Sequence, residues 1–431
     1  MTNDNKKIAP LTEQAAASLI TTMAAEARAA QHSLGQSDNA ARNAALIAAA
    51  AALRASEADI LSANQRDRAR GADTGLTAAF IDRLTLTPDS IEAMAQGLEV
   101  IAQLDDPLGA ELARWTVPTG LDIARVATAL GVIGVIYESR PNVTVDAAGL
   151  CIKSGNSALL RCGSDSQNTS SLLASLIQSG LKEAGLPRAS IQIMPTTDRR
   201  AVGAMLAAAG EIDVIIPRGG KGLVRRVQQE ARVPVFAHLE GICHLYIAPG
   251  AERQMAVDIA VNAKMRRVGI CGAAETILID KAVADSHAMP IVSALLGAGC
   301  EVRGDAVITA CDARVIAAAD DDFGQEFLAP IIAIKIVDDM EHAMQHISQF
   351  GSGHTESIIT SDDKEAAEFL THVDSAIVMH NASTQFADGR EFGMGAEIGI
   401  ATGRLHARGP VGATQLTSFK YIVRGNGQKR A

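Results

Sequence analysis

The spacing of hydrophobic and polar positions changes near residue 110 of the chain. Before that point apolar residues recur at helical spacing, as in LTEQAAASLITTMAAEARAAQ, and a second helix is predicted from Asn39 to Ala55. In LTPDSIEAMAQGLEVIAQL, Thr87 is a candidate N-cap and Pro88 occupies the first helical position. The pattern therefore predicts a helical region over residues 11 to about 105.

Beyond residue 110 the pattern becomes one of strands. ARWTVPTGLDIARVAT alternates around a Pro-Thr-Gly turn, which predicts a hairpin over about 115–129. The apolar runs LGVIGVIYES, SALLR, SIQIM, IDVIIP and VPVFA then alternate with helical patterns, one of them starting near Val143. After about Gly250 the runs AETILI, PIIAIKIV, ESIIT and SAIVMH follow, and SFKYIV ends the series. Strands that alternate with helices predict an α/β fold with parallel sheets.

Composition sets the class of protein. The 431 residues are 48% hydrophobic, which is enough for two or three domains with cores of their own. A net charge of −10 argues against nucleic acid as a main partner, because binding the phosphate backbone needs a basic face. Neither a signal peptide nor an apolar stretch long enough for a membrane span is recognised, so a cytoplasmic protein without a membrane partner is expected.

The six cysteines raise the question of chemistry. None lies in a C-x-x-C pair, so neither a metal site nor a disulfide is expected. Cys271, in NAKMRRVGICGAAETILID, is either a buried apolar residue, as most free cysteines are, or a nucleophile. Glycines flank it at 269 and 272, and upstream cations favour a thiolate. Those cations are Lys264, Arg266 and Arg267.

Three segments that follow predicted strands are candidate binding loops. Asn142 is either the N-cap of a helix or an amide donor to an oxyanion, and the spacing does not choose between them. Arg161 and Ser164 lie where a strand leads into a helix, which suits an anion site or a capped surface loop equally. The glycine-rich IPRGGKGLV, with Lys221, weakly suits a phosphate but is not a Walker loop.

No G-x-G-x-x-G follows any predicted strand, so the usual dinucleotide fingerprint is missing from the sequence. Glu326, in GQEFLAPIIAI, reads by itself as a solvated carboxylate. The histidines 238, 244, 354 and 406 are scattered along the chain and read as structural.

Taken in order, the segments ESRPNVTVDAA, KSGNSALLR, PRGGKGLV, CHLYI, NAK…C…ETILI and NASTQFADGREFGMGAEIGI…LHARGPVG closely resemble the gamma-glutamyl phosphate reductase family of the aldehyde dehydrogenase superfamily. The resemblance runs over nearly the whole chain. It implies two doubly wound parallel-sheet domains and a small oligomerisation hairpin. The implied division is a cofactor-binding domain over 1–249 with the hairpin at 108–129, a catalytic domain over 250–385, and a return with a C-terminal oligomerisation strand over 386–431.

The resemblance also implies roles for individual residues. Cys271 matches the nucleophile of the family, and Asn142 matches the oxyanion asparagine of the superfamily. NADPH is the implied cofactor, and glutamyl phosphate is the implied substrate. The residues implied to line the cofactor are Arg161, Ser164, Gly219, Gly220, Lys221 and Glu326. The cations considered for the substrate's phosphate or carboxylate are Lys264, Arg267 and Arg408.

Two departures from the family pattern stand out. MRRVG replaces the proline-containing approach to the cysteine, and AHLEGICHLYI replaces the Glu-Leu-Gly-Gly-Lys block of aldehyde-oxidising relatives, so neither His238 nor Glu240 receives a role. Without the glutamate that activates water, a thioester on the cysteine is protected from hydrolysis.

The expected reaction is therefore NADPH-dependent reduction of L-glutamyl 5-phosphate to the semialdehyde, the second step of proline biosynthesis from glutamate. The alternatives are an enzyme of the same fold acting on another acyl phosphate or aldehyde, and a dinucleotide-binding oligomer without catalysis. A homo-oligomer is expected, and association with glutamate 5-kinase is left open by the sequence.

Overall fold

The computed structural model describes residues 11–430, and the internal contacts of the chain divide it into two units. The first unit comprises residues up to Ala237, Met394–Gly399 and the chain from Val411 onward. The second comprises His238–Gly393 and Ile400–Pro410. The domain roles given above, and their boundary near residue 249, stay predictions.

The α-helices of the described residues are α1 (Glu13–Gln36), α2 (Asn39–Ala55), α3 (Glu57–Asp73), α4 (Ala78–Leu84), α5 (Pro88–Gln103), α6 (Val143–Lys153), α7 (Gln167–Glu183), α8 (Arg199–Ala207), α9 (Lys221–Glu230), α10 (Arg253–Met265), α11 (Ala284–Gly297), α12 (Ala306–Thr309), α13 (Met340–Phe350) and α14 (Asp363–His372). Short 3-10 turns lie at Arg188–Ser190, Lys281–Val283, Asp320–Gly324 and Thr384–Phe386.

The strands of the same residues are β1 (Glu111–Thr116), β2 (Asp122–Ala129), β3 (Val132–Tyr137), β4 (Ser157–Arg161), β5 (Ile191–Ile193), β6 (Val214–Arg218), β7 (Cys243–Ile247), β8 (Ala274–Asp280), β9 (Glu301–Gly304), β10 (Ile316–Ala317), β11 (Ile331–Val337), β12 (Thr355–Ile359), β13 (Ile377–His380), β14 (Ile400–Ala401), β15 (Gly409–Pro410) and β16 (Thr417–Arg424).

The N-terminal helical region is confirmed. The second helix has the predicted limits, and α5 begins at Pro88 after Thr87, whose hydroxyl accepts a hydrogen bond from the Ser90 amide at 3.2 Å. Such a cap satisfies one of the helix's unpaired N–H groups. None of the described helices combines the length and the apolar character needed to span a lipid bilayer.

The first unit contains a parallel four-stranded sheet in the order β5-β4-β3-β6. β3 and β4 are buried along their whole length, because helices cover both faces of a parallel sheet and favour continuous apolar runs. β1, β2 and β16 form a separate antiparallel sheet, in which β2 is central. The hairpin prediction is confirmed.

One predicted strand is wrong. VPVFA forms only an isolated bridge between Val235 and Ile215. The Ile215 amide donates to the Pro234 carbonyl, and Phe236 donates back to Ile215. Because proline has no N–H, the ladder does not extend past these two bonds.

The second unit is built on a seven-stranded sheet in the order β10-β9-β11-β8-β7-β12-β13. Each neighbouring pair runs parallel. The strands β7, β8 and β12 are buried throughout and lie side by side at the centre. The residues that precede these three strands therefore meet at one edge of the sheet, and Cys271 is among them.

Candidate active site

Cys271 lies in the turn between α10 and β8 and is half-buried. Its backbone is held closely, since the thiol of Cys243 donates to the Cys271 carbonyl at 3.1 Å. Gly241 packs against the same peptide, and a β-carbon at that position would lie 2.1 Å from the Cys271 oxygen. Only glycine fits there without moving the turn. The position of the Cys271 backbone is thus fixed by packing.

The cysteine thiols differ in their access to solvent. Burial raises the pKa of the thiols of five of the six cysteines, to about 12 for Cys151 and Cys300 and about 11 for Cys162. Cys243 is shifted well above its usual range, and Cys311 is raised as well. Thiols with raised pKa values stay protonated near neutral pH and are poor nucleophiles. Only Cys271 and Cys311 are more than marginally exposed.

Of the three cations upstream of Cys271, Lys264 is engaged inside the core. Lys264 is fully buried, and its ammonium hydrogen-bonds to the equally buried carboxylate of Glu275. Burial raises the pKa of Glu275 to about 7 against the opposing effect of this cation. A lysine in that state is a structural partner, which argues against contact with substrate. Arg266 and Arg267 are exposed.

The segment MRRVG is fastened by a side chain that the sequence did not single out. The Gln385 amide donates to the carbonyls of Ala263 at 2.8 Å and Arg267 at 3.3 Å. Its oxygen accepts from the Arg266 guanidinium at 3.5 Å. These bonds hold the approach to Cys271 where the family pattern has a proline. Gln385 lies in NASTQFADG, one of the segments that resemble the family.

Glu326 and Arg408 are the other predicted site residues of the second unit. A Glu326 carboxylate oxygen accepts from the Gly241 amide at 2.9 Å, so the glutamate is tied to the backbone beside Cys271. Its reading as a merely solvated carboxylate is wrong. The Arg408 guanidinium donates to a carboxylate oxygen and the carbonyl of Asp374, at 2.5 and 2.8 Å.

Two histidines stand beside Cys271. A ring nitrogen of His238, a ring nitrogen of His354 and the Cys271 sulfur all lie within 4.8 Å of one another. The imidazoles meet edge to face at 5.3 Å between centroids. Burial lowers the pKa of His354 to about 3. Sequence reasoning missed this cluster, because only the strand order β8-β7-β12 brings the preceding residues together.

In the first unit, the predicted loops share the carboxyl edge of the four-stranded sheet. Asn142 follows β3, Arg161 ends β4, and Gly219 follows β6. Ligands of open α/β sheets bind at this edge. Asn142 has a helical backbone and makes no capping bond, so the capping alternative is wrong. Its amide donates to the Asp146 carboxylate at 3.0 Å.

At this edge, several buried polar atoms have no hydrogen-bond partner among the described residues, which suits a polar cofactor. Arg161 is buried, and its Nη2 donates to the Thr197 carbonyl at 2.8 Å while its Nε has no partner among the described residues. An Asp165 oxygen and Arg218 Nε are likewise buried without a partner in that part of the chain. Buried polar groups are nearly always paired, so these atoms have hydrogen-bonding capacity that a polar ligand could satisfy.

Ser164 and the glycine-rich turn lie at the same edge. Ser164 is exposed, and its carbonyl accepts from Arg70. The Glu138 carboxylate accepts from the Gly220 amide at 3.4 Å, at the start of α9. A β-carbon at Gly219 would lie 2.6 Å from that carboxylate. A negative group therefore already occupies the N-terminus of α9, and Lys221 is the first residue of that helix.

Comparison with known proteins places the chain in a family. The model described as aldehyde dehydrogenase family matches residues 3–297. The gamma-glutamyl phosphate reductase of Mesorhizobium japonicum is 58% identical over 413 residues, covering 96% of each chain. That of Parvibaculum lavamentivorans is 56% identical over 413 residues, covering 96% of this chain and 97% of the relative.

Solved structures agree with these relatives. The gamma-glutamyl phosphate reductase from Thermotoga maritima superposes with a TM-score of 0.93 at 39% identity, covering 96% of this chain and all of that one. An acetylating aldehyde dehydrogenase from Geobacillus thermoglucosidasius shares the fold at a TM-score of 0.65 and 18% identity, covering 97% of this chain and 99% of that one. The chain belongs to the aldehyde dehydrogenase family and, within it, to the gamma-glutamyl phosphate reductases.

Proposed function

We propose that this chain reduces L-glutamyl 5-phosphate to L-glutamate 5-semialdehyde and phosphate with NADPH, through a thioester on Cys271. Its membership of the gamma-glutamyl phosphate reductases carries the substrate and the cofactor. The geometry of the Cys271 turn is the observation that supports Cys271 as the nucleophile. It presents a half-buried thiol on a backbone fixed by Gly241 and Cys243.

The bond changes follow from thiol chemistry. The Cys271 thiolate attacks the acyl carbon, the bond from that carbon to the phosphate oxygen breaks, and phosphate leaves with the electron pair. The Cys271 amide is one donor to the oxyanion, and the side-chain amide of Asn142 is the donor that membership of the family implies. When bound, NADPH supplies the hydride that reduces the thioester. The carbon–sulfur bond then breaks, and Cys271 recovers its thiolate as the aldehyde departs.

The cofactor-binding roles rest on the carboxyl edge of the four-stranded sheet. Arg161 and Ser164 would hold the adenosine ribose and its 2′-phosphate, and the buried Arg161 Nε, which has no partner among the described residues, supports this role. Gly219, Gly220 and Lys221, at the start of α9, would line the cofactor near its phosphates. Glu326, whose carboxylate accepts from the Gly241 amide, would hold the nicotinamide ribose.

Two of the three cations predicted from the sequence are kept as partners for the negative groups of the substrate. Arg267 is the favoured partner for the phosphate or carboxylate, because it is exposed beside the Cys271 turn. Arg408 is second, since Asp374 already engages its guanidinium. Lys264 is not retained, because Glu275 pairs it inside the core.

The chain also acts as a homo-oligomer in the cytoplasm. The sheet of β1, β2 and β16 exposes large apolar side chains on one face, and a monomer rarely leaves such a patch uncovered. Its members are Trp115, Phe419, Tyr421 and Val423, each 41–57% exposed. The kinase that makes glutamyl phosphate is a further candidate partner, by the chemistry of the shared labile intermediate.

The phosphate-linked reaction is tested in reverse. Purified protein, NADP and glutamate semialdehyde are mixed with and without phosphate, and NADPH formation is followed. We expect reduction of NADP only when phosphate or arsenate is present, because one of these anions must attack the thioester and accept the acyl group. Equal rates without either anion would contradict the proposal and favour a hydrolytic aldehyde dehydrogenase.

A further inference from the structure

The reaction above uses Cys271 but gives no role to His238 and His354, which form a cluster with it at the amino ends of β7, β8 and β12. A ring nitrogen of each histidine and the sulfur lie within 4.8 Å of one another, all within the second unit. We propose that these three side chains form an inhibitory site for a thiophilic divalent cation of the Zn²⁺ class.

The donor set fits that class of ion. Two imidazoles and one thiolate are the borderline-soft ligands that Zn²⁺ prefers, and three protein ligands leave a fourth position for water. Hard ions such as Mg²⁺ and Ca²⁺ require oxygen ligands and are not expected to bind. The cation would hold the Cys271 sulfur and so stop its attack on substrate.

The surroundings of both rings match those of metal ligands. His238 Nδ1 lies 2.9 Å from the Ile400 carbonyl and must donate to it, which leaves Nε2 with the lone pair in the neutral ring. His354 Nδ1 lies 2.8 Å from the Thr355 hydroxyl and 3.6 Å from the Cys243 sulfur. Metal-binding histidines are usually oriented by such a bond at the other ring nitrogen.

The environment of His354 is a second, independent observation that supports a bound cation. Its side chain is fully buried, and its Nε2 has no hydrogen-bond partner among the described residues. An unpaired buried ring nitrogen costs free energy, unless something binds it. A cation that accepts its lone pair would meet this need.

The distances require only a small movement. Zinc–nitrogen and zinc–sulfur bonds of about 2.0–2.3 Å put tetrahedral ligand atoms about 3.6 Å apart, so the cluster must contract by roughly 1 Å. Cys271 and His238 are half-buried and can rotate, whereas the packing around His354 fixes the third ligand.

Binding is tested on the full-length protein with two probes, Co²⁺ and Zn²⁺. Co²⁺ should give a thiolate charge-transfer band and the visible bands of a tetrahedral ion. Zn²⁺ should slow alkylation of Cys271 by iodoacetamide at least about tenfold, measured on the tryptic peptide. Cys311, the other half-exposed thiol, is the internal control and should react at an unchanged rate.

Two variants address the ligands. His238→Gln and His354→Gln should each abolish the protection and the cobalt bands, whereas His342→Gln on α13 should keep both. Because His354 is buried, His238→Gln carries the test if the other variant does not fold. Unchanged alkylation with Zn²⁺, or protection that survives His238→Gln, would overturn the site and indicate an adventitious ion on the sulfur.

The inhibitory effect rests on the proposed function, but the binding does not. Zn²⁺ should lower NADPH oxidation in proportion to occupancy measured by alkylation, and a chelator should restore it. If Cys271→Ala kept turnover, the role of the nucleophile would fail while the metal readouts would stand. If turnover needed Cys271 but Zn²⁺ gave no protection, the metal site alone would fail.

Discussion

At the scale of single residues, the Cys271 turn depends on contacts from residues that carry no reactive group. Gly241 packs on its peptide, Cys243 bonds its carbonyl, and Gln385 ties the preceding segment. The Gly241 amide also holds Glu326. One glycine therefore couples the position of the nucleophile to a proposed cofactor ligand.

Gly241→Ala should lower kcat strongly while changing the thermal stability of the protein little. The new methyl group would meet the Cys271 peptide at 2.1–2.7 Å, so the turn must shift. A displacement of about 1 Å at a reacting group can cost about 100-fold in rate, and we expect a loss of 10- to 100-fold in kcat. Steady-state kinetics and thermal unfolding measure the two effects.

Gly297→Ala is the matched control, because a β-carbon there meets nothing within 4 Å. It should change kcat less than threefold. A Gly241→Ala enzyme with the same kcat as the Gly297→Ala enzyme would mean that the packing does not position Cys271.

The sequence predicted Cys271 from its glycines and its resemblance, but not the contacts that place it. His238 and His354 lie far apart in the chain, and only the order of parallel strands brings them together. Lys264 looked like a cation available to the site, because a buried partner such as Glu275 leaves no mark in local spacing. Neither outcome can be read from a one-dimensional pattern.

At the scale of elements, the three-stranded sheet separates two kinds of face. On β16, Phe419, Tyr421 and Val423 lie at every second position, and Trp115 of β1 meets Tyr421 edge to face at 6.2 Å. Alternation of this kind places the aromatic residues on one face. The hairpin was predictable from its turn, and VPVFA failed because proline interrupts the ladder.

Tyr421→Asp should weaken self-association. A carboxylate in the centre of an apolar contact must lose its water, which costs several kcal/mol if it stays unpaired. Analytical ultracentrifugation should show a shift to smaller species at micromolar concentration. Lys420→Asp, on the opposite face of the same strand, should leave the distribution unchanged. Identical sedimentation of both variants would contradict an interface on the apolar face.

At the scale of the whole molecule, buried histidines link folding to pH. Burial lowers the pKa of His346 and His354 to about 3, whereas a histidine in the unfolded chain titrates near pH 6.5. Between these values the unfolded state binds more protons than the folded state. The contribution of these two histidines to folding stability is therefore greatest above pH 6.5 and decreases as the pH falls toward 3.

His346→Phe should make folding less sensitive to acid. The ring lies 4.6 Å from Phe350 and 5.3 Å from Phe323, so an aromatic replacement suits its surroundings. Removing one histidine that takes up a proton on unfolding should lower the slope of the unfolding free energy against pH, near pH 5, by about 1.4 kcal/mol per pH unit. Urea titrations between pH 4.5 and 7 give the slope. His342→Gln should keep the full slope, and an unchanged slope in His346→Phe would rule out the assignment.

The central claim is that Cys271 forms the thioester, and NADPH oxidation with freshly generated glutamyl phosphate tests it most directly. Wild type, Cys271→Ala and Cys311→Ser are assayed side by side. We predict loss of at least about 1,000-fold in kcat for Cys271→Ala, because the covalent route is removed, and near wild-type turnover for Cys311→Ser. Turnover by Cys271→Ala within tenfold of wild type would contradict the account.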